Sequence, residues 1–216
     1  VMTQMTASPA STENGCRTCE IIWDGIIGDV TEVHIWSNRP LWPHGMTRPP
    51  GSDPVPDTFD WNLWLGPAPW APYTPQRCHW NFRWILDHSG GQVTDWAAHH
   101  CDIANWGMGT EYTGPVEIEG RAEYPKDGLW NVHGDFSIEY TYANGVTVIC
   151  ADNKKNKQGI LFEGTEGWVY VKRGQIDAEP KSLLSSTIGL DEIHLYKSNN
   201  HKANLLECIK SRKETV

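Results

Sequence analysis

The feature that most constrains the fold is a change of hydrophobic period beyond residue 115. Residues 116–124 and 135–142 alternate apolar and polar side chains with period two, the pattern of strands with one buried face. Ala143-Asn144-Gly145 is a hairpin turn leading into a further strand over 146–150. Residues 159–164 and 168–174, joined by Thr165-Glu166-Gly167, make another hairpin. Together these predict an antiparallel meander. One face is apolar and the other rich in Glu, Arg and Thr, so one side packs on helices while the other meets water or a partner subunit. The expected class is therefore α/β in the α+β sense, an open, mostly antiparallel sheet with helices on one face.

Helical signals surround this region. Polar residues at Ser11-Thr12-Glu13-Asn14 can cap a helix, and Cys16, Cys19, Ile22, Trp23 and Ile26 recur at helical spacing until Gly25 and Gly28 stop the run. Residues 1–5 look like the tail of a strand feeding that helix, which suggests a βα unit lacking its front. Residues 30–36 alternate like a strand. A helix opens at Thr94 or Asp95 and runs through Trp106 before Gly107 and Gly109, and another spans about 201–212.

Between the strand at 30–36 and the Gly90-Gly91 pair lies a stretch of Pro, Gly and Trp, about 38–90, whose only periodic signal is a short turn around 60–64. The chain has twelve tryptophans, most of them between Trp36 and Trp106. Such aromatic content argues against disorder. Indoles this dense either pack an irregular loop or line a ligand cleft.

Several function classes are excluded by charge and composition. A net charge of −9 repels a phosphate backbone, so nucleic acid is not an expected partner. No apolar run is long enough for a membrane span, and the first twenty residues lack the pattern of a signal peptide. A cytoplasmic location is expected, or a periplasmic one if an export signal precedes Val1. Six cysteines are too few for a disulfide scaffold, and Cys16-x-x-Cys19 lacks the second pair of a zinc site.

The densest chemistry lies in residues 90–106. Asp95 and His99 are four apart, and His99 and Asp102 three apart, so on a helix all three share one side. A carboxylate beside an imidazole fixes its orientation and raises its proton affinity, and such an imidazole can accept a hydroxyl proton. The plainer alternative has Asp95 capping the helix while His99 and His100 satisfy buried hydrogen bonds. A metal site from His99, Asp102 and a remote His34 or His133 matches no diagnostic spacing, so no metal is expected.

The runs Glu32-Val33-His34-Ile35-Trp36-Ser37-Asn38-Arg39-Pro40-Leu41-Trp42-Pro43, Asp60-Trp61-Asn62-Leu63-Trp64-Leu65-Gly66-Pro67-Ala68-Pro69 and Thr94-Asp95-Trp96-Ala97-Ala98-His99-His100-Cys101-Asp102-Ile103-Ala104 closely resemble the Gfo/Idh/MocA oxidoreductase family. Residues 164–171 and 206–212 resemble its later segments. The resemblance implies that residues 1–29 close an N-terminal Rossmann domain, as its last strand–helix unit, and that 30–216 form the C-terminal substrate-binding and oligomerisation domain. It implies an NAD(P)-dependent dehydrogenase acting on a sugar, polyol or related hydroxylated ring, with NAD or NADP held mainly by the other domain.

By resemblance His99 takes the substrate hydroxyl proton, Asp95 orients it and contacts the sugar, and hydride passes to the nicotinamide. Arg39, Arg83, Trp84 and His100 are candidate substrate contacts, with surface or loop-pinning ion pairing as the alternative for Arg39 and Arg83. A homo-oligomer, dimer or tetramer, pairing through the open sheet is also implied. The sequence departs from the family in having neither G-x-G-x-x-G nor Glu-Lys-Pro, so these residues alone are not expected to turn over. Two other functions remain open: a carbohydrate-binding or assembly module without redox chemistry, and glycoside cleavage or lyase chemistry through transient oxidation.

Overall fold

In a computed structural model, the described residues are 2–4, 12–37, 52–152, 157–196, 198 and 200–216. Seven strands form one sheet in the order β2-β3-β4-β1-β5-β6-β7. They are β1 (Val30–Ser37), β2 (Glu117–Ala122), β3 (Phe136–Thr141), β4 (Thr147–Asp152), β5 (Gly159–Gly164), β6 (Gly167–Lys172) and β7 (Gln175–Glu179). Every neighbouring pair is antiparallel except β1 with β4, where Glu32 to Ser37 run beside Thr147 to Asp152. Among the described residues, five α-helices accompany the sheet: α1 (Glu13–Trp23), α2 (Trp61–Leu65), α3 (Trp96–Gly107), α4 (Ser182–Ser185) and α5 (His201–Ser211).

The expected meander is present, with one strand more than the sequence reading contained. The strand expected at the start of the chain is not formed over residues 2–4, and residues 1 and 5 lie outside the described residues. Gln4 instead donates to the Asn204 side chain of α5 at 2.9 Å, and the Thr3 carbonyl accepts from Thr215 at 2.8 Å.

Helix α1 starts where Thr12 accepts from the Gly15 amide. It ends in paired bonds, Gly25 N–H to the Ile22 carbonyl and Ile26 N–H to the Ile21 carbonyl. This closure needs a left-handed residue, which Gly25 supplies at φ 67°. The turn aims Ile27 into the core and β1 into the centre of the sheet.

Strand β1 lies between β4 and β5, and its alternate residues Val33, Ile35 and Ser37 are buried. The main core joins them to Ile21, Ile27, Ala97, Ala104, Val148, Cys150, Ile160, Phe162, Val169 and Val171. Helix α3 packs on β1 and β5, and α1 packs on β6, β7 and α3. The Trp23 indole donates to the carbonyls of Trp106 and Gly107 at 3.1 and 3.0 Å, satisfying the end of α3 from α1.

The loop following β1 has a core of its own. Trp61, Leu65 and Cys78 are buried there, with Phe59, Trp64 and Tyr73 packed around them. Trp61 and Trp64 stack at 5.1 Å, and the Trp61 indole donates to the Ala71 carbonyl at 2.8 Å. These rings pack the irregular loop, whereas Trp70 and Trp80 stay exposed.

Candidate active site

Asp95 stands at the N-cap position of α3 but makes no capping hydrogen bond. Its carboxylate instead accepts from Arg83 Nε at 2.9 Å. Arg83 sits in a 3-10 turn, His79–Trp84, donates Nη1 to the Trp80 carbonyl at 2.7 Å and lies 3.7 Å over the Trp80 ring. A guanidinium held on three sides is a rigid clamp for a carboxylate. The turn preceding α3 is fixed too. The Gly90 N–H donates to Thr94 Oγ1 at 3.0 Å, the Asp95 N–H donates to the Gly91 carbonyl at 3.1 Å, and His133 bonds the Gly90 carbonyl at 3.1 Å. Gly91 has φ 64°, and a Cβ there would lie 2.9 Å from Val132.

One turn along α3, His99 is half-buried with its ring edge-on to Trp96 at 6.1 Å. Its Nδ1 is buried without a hydrogen-bond partner among the described residues. That is the opposite of a histidine retained to satisfy a buried group. Asp95 makes no hydrogen bond to His99, so the orienting contact suggested by their spacing is replaced by the Arg83 pair. Burial raises the Asp102 carboxyl, while charge on His99 lowers it.

His100 faces the sheet and is 6% exposed. Burial pushes its imidazole down to about 4, His99 and Arg173 push the same way, and a backbone hydrogen bond with Trp36 opposes them. His100 is thus neutral in the fold and ties α3 to the end of β1. Because the unfolded histidine titrates near 6.5, its contribution is full above that pH and is lost as pH falls towards 4. The expected loss is roughly 3 kcal/mol at 1.36 kcal/mol per unit. Denaturant melts between pH 7 and 4 should show this slope, and a folded His100→Gln protein should show a flatter one.

Of the remaining candidates, Trp84 is 3% exposed and its carbonyl accepts from the Asn131 and Val132 amides, so it holds the loop to the chain before β3 and offers a ligand little surface. Arg39 lies outside the described residues. His133 is bound to backbone carbonyls, and His34 lies on the open sheet face, so neither converges with His99 and Asp102.

Two contributors were not anticipated. Arg173, after β6, lies 5.1 Å over the Trp96 ring, and Trp80 backs Arg83. The second had a signal, since residues three apart meet in a helical turn. A cavity of about 440 Å³ lined by Trp64, His79, Phe82 and His88 adjoins the same turn.

The profile of the oxidoreductase family C-terminal alpha/beta domain, the Gfo/Idh/MocA C2 domain, matches residues 29–215. The chain belongs to the Gfo/Idh/MocA oxidoreductase family. No curated protein matches the sequence. Among solved structures this Gfo/Idh/MocA domain is similar to an oxidoreductase from Thermotoga maritima, at 15% identity and TM-score 0.53, over 96% of this chain and 51% of that one. It is similar to the aldose-aldose oxidoreductase from Caulobacter crescentus complexed with glycerol, at 15% identity and TM-score 0.55, over 97% and 54%. It is also similar to the WlbA dehydrogenase from Bordetella pertussis in complex with NADH and UDP-GlcNAcA, at 13% identity and TM-score 0.51, over 92% and 52%. At these identities the likeness establishes the fold. The chain spans about half the length of each structure. No helix among its described residues is long and apolar enough to cross a membrane.

Proposed function

We propose that this domain is the substrate-binding and catalytic half of an NAD(P)-dependent oxidoreductase acting on a CH–OH group of a sugar, polyol or related hydroxylated ring. The observation that carries the reading is the start of α3, where Asp95 leaves its capping role for Arg83 and His99 keeps a buried ring nitrogen without a partner among the described residues. A capping aspartate and a satisfied histidine would need neither arrangement.

His99 accepts the hydroxyl proton as the carbonyl forms, the role of a positioned general base. Asp95, fixed by Arg83, keeps lone pairs for substrate hydroxyls and sets the ring's orientation. The residues fit a nicotinamide partner because they provide a base and an orienting carboxylate and leave a hydride acceptor to be supplied. The nicotinamide takes that hydride when bound. These 216 residues contain no G-x-G-x-x-G, so the dinucleotide is held mainly by a nucleotide-binding domain beyond them. The similar WlbA dehydrogenase, whose structure holds NADH and UDP-GlcNAcA, supports this assignment.

The test is NADH or NADPH formation by the complete enzyme over a panel of aldoses, inositols and alditols. At least one should give steady-state reduction of the nucleotide. A second reading, glycan binding without chemistry, is favoured by the exposed Trp70 and Trp80. It requires that sugars bind, that no panel member reduces the nucleotide, and that Asp95→Asn leaves affinity intact.

A further inference from the structure

The open face of the sheet carries a group of donors that the proposed chemistry does not use. Glu32 and His34 are two apart on β1 and project from the same face, and Glu163 projects from β5. His34 Nε2 lies 3.2 Å from Glu32 Oε1 and 3.9 Å from Glu163 Oε1, and one ligand atom from each residue lies within 4.8 Å of the others. The three side chains are partly shielded, at 21%, 36% and 45% exposure for His34, Glu32 and Glu163.

Two features make this more than a solvated acidic patch. Glu32 and Glu163 are direct cross-strand partners, and like charges facing each other across a ladder are destabilising unless positive charge lies between them. The His34 ring is also held, stacked on Trp36 at 5.5 Å and 18°, with Nε2 aimed at both carboxylates. Strand β1 is flanked on both sides, so the backbone beneath these ligands is rigid.

We propose that Glu32, His34 and Glu163 bind a divalent first-row transition ion, of which Zn²⁺ is the natural probe, as a cross-brace between β1 and β5. One imidazole nitrogen and two carboxylate oxygens are borderline ligands that suit Zn²⁺ or Mn²⁺ better than an all-oxygen Ca²⁺ cage. Around a tetrahedral Zn²⁺ with bonds of about 2.0–2.1 Å, ligand atoms lie about 3.3 Å apart. The Glu32–His34 separation already meets that spacing, and the more exposed Glu163 closes the remaining gap by rotation. Three protein ligands leave coordination positions for water. The protein's net charge of −9 raises the local cation concentration. The Cys16 and Cys19 thiols are weak competitors, because burial pushes both up, away from the thiolate that binds metal.

The test is calorimetric titration of the metal-free protein with Zn²⁺ near neutral pH, paired with long-range ¹H–¹⁵N spectra of the histidine rings. One equivalent should bind, with the His34 Nε2 resonance moving to the position of a metal-bound nitrogen. His34→Gln and Glu163→Gln should each weaken binding at least about 100-fold, beyond the 10–100-fold that loss of an outer partner costs. Glu163→Gln removes a repulsion, so it folds even if His34→Gln does not, and circular dichroism without metal checks both. Unchanged Zn²⁺ uptake in the two variants would overturn the site. So would no stoichiometric uptake by the parent protein with His34 doubly protonated, since a proton would then hold the carboxylates together.

Discussion

Replacing His99 by Gln in the complete enzyme should lower kcat by about 10²- to 10⁴-fold, the range that a positioned general base supplies. Glutamine keeps much of the bulk and a hydrogen-bonding head but cannot take up a proton at neutral pH. Sugar affinity should change far less, because the proposed function rests ground-state binding on Asp95 and the surrounding loop, and stability should hold because His99 is only half-buried. A rise in KM with kcat intact would assign His99 to binding instead. The contrast with the adjacent residue is informative: His100 is buried and neutral, so its replacement acts through stability and its pH slope.

The second large effect lies where α3 meets the sheet. Gly107 ends α3 directly above Phe162 of β5, and a Cβ at Gly107 would stand 2.9 Å from two atoms of that ring and 3.2 Å from Ile22. Phe162 is fully buried. Truncating it to Ala should cost about 3–5 kcal/mol, a large share of the roughly 5–15 kcal/mol that stabilises an ordinary domain. Gly107→Ala should cost about 1–3 kcal/mol by overpacking. Since both act on one contact, combining Gly107→Ala with Phe162→Leu should cost less than the sum, read from urea melts of the four proteins. Additive costs would mean that the helix shifts along β5 rather than pressing on the ring.

Physical reasons separate what the sequence disclosed from what it concealed. The meander was legible because its strands alternate cleanly and Asn144-Gly145 can form only a tight turn. Strand β7 was not, since Gln-Ile-Asp-Ala-Glu offers two apolar positions, and what commits it to the sheet is its antiparallel register with β6, from Gln175 beside Lys172 to Glu179 beside Trp168. The parallel pairing of β1 with β4 has no local signature, because it depends on how the intervening chain returns. Twelve tryptophans posed the choice between loop packing and ligand cleft; among the described residues Trp61 and Trp64 pack the loop, while Trp70 and Trp80 are exposed.

At the site, spacing placed Asp95 and His99 on one helix, yet the partner of Asp95 comes from an earlier turn. The motif thus named the carboxylate, and Arg83 was a candidate too, but nothing in the spacing paired the two. The Glu32–His34–Glu163 group was hidden for a similar reason. Two of its members show as an i, i+2 pair on a strand, but the third arrives only through the β1–β5 register.

The most direct test of the central claim is isotopic. The complete enzyme is incubated with NAD⁺ or NADP⁺ and sugars or polyols deuterated at their carbinol carbons, and the reduced nucleotide is examined for deuterium by NMR. One labelled position of one substrate should deliver its deuterium to C4 of the nicotinamide, and the transfer should fall sharply in His99→Gln. Sugars that bind the enzyme while no label reaches the nucleotide from any position would contradict the oxidoreductase reading.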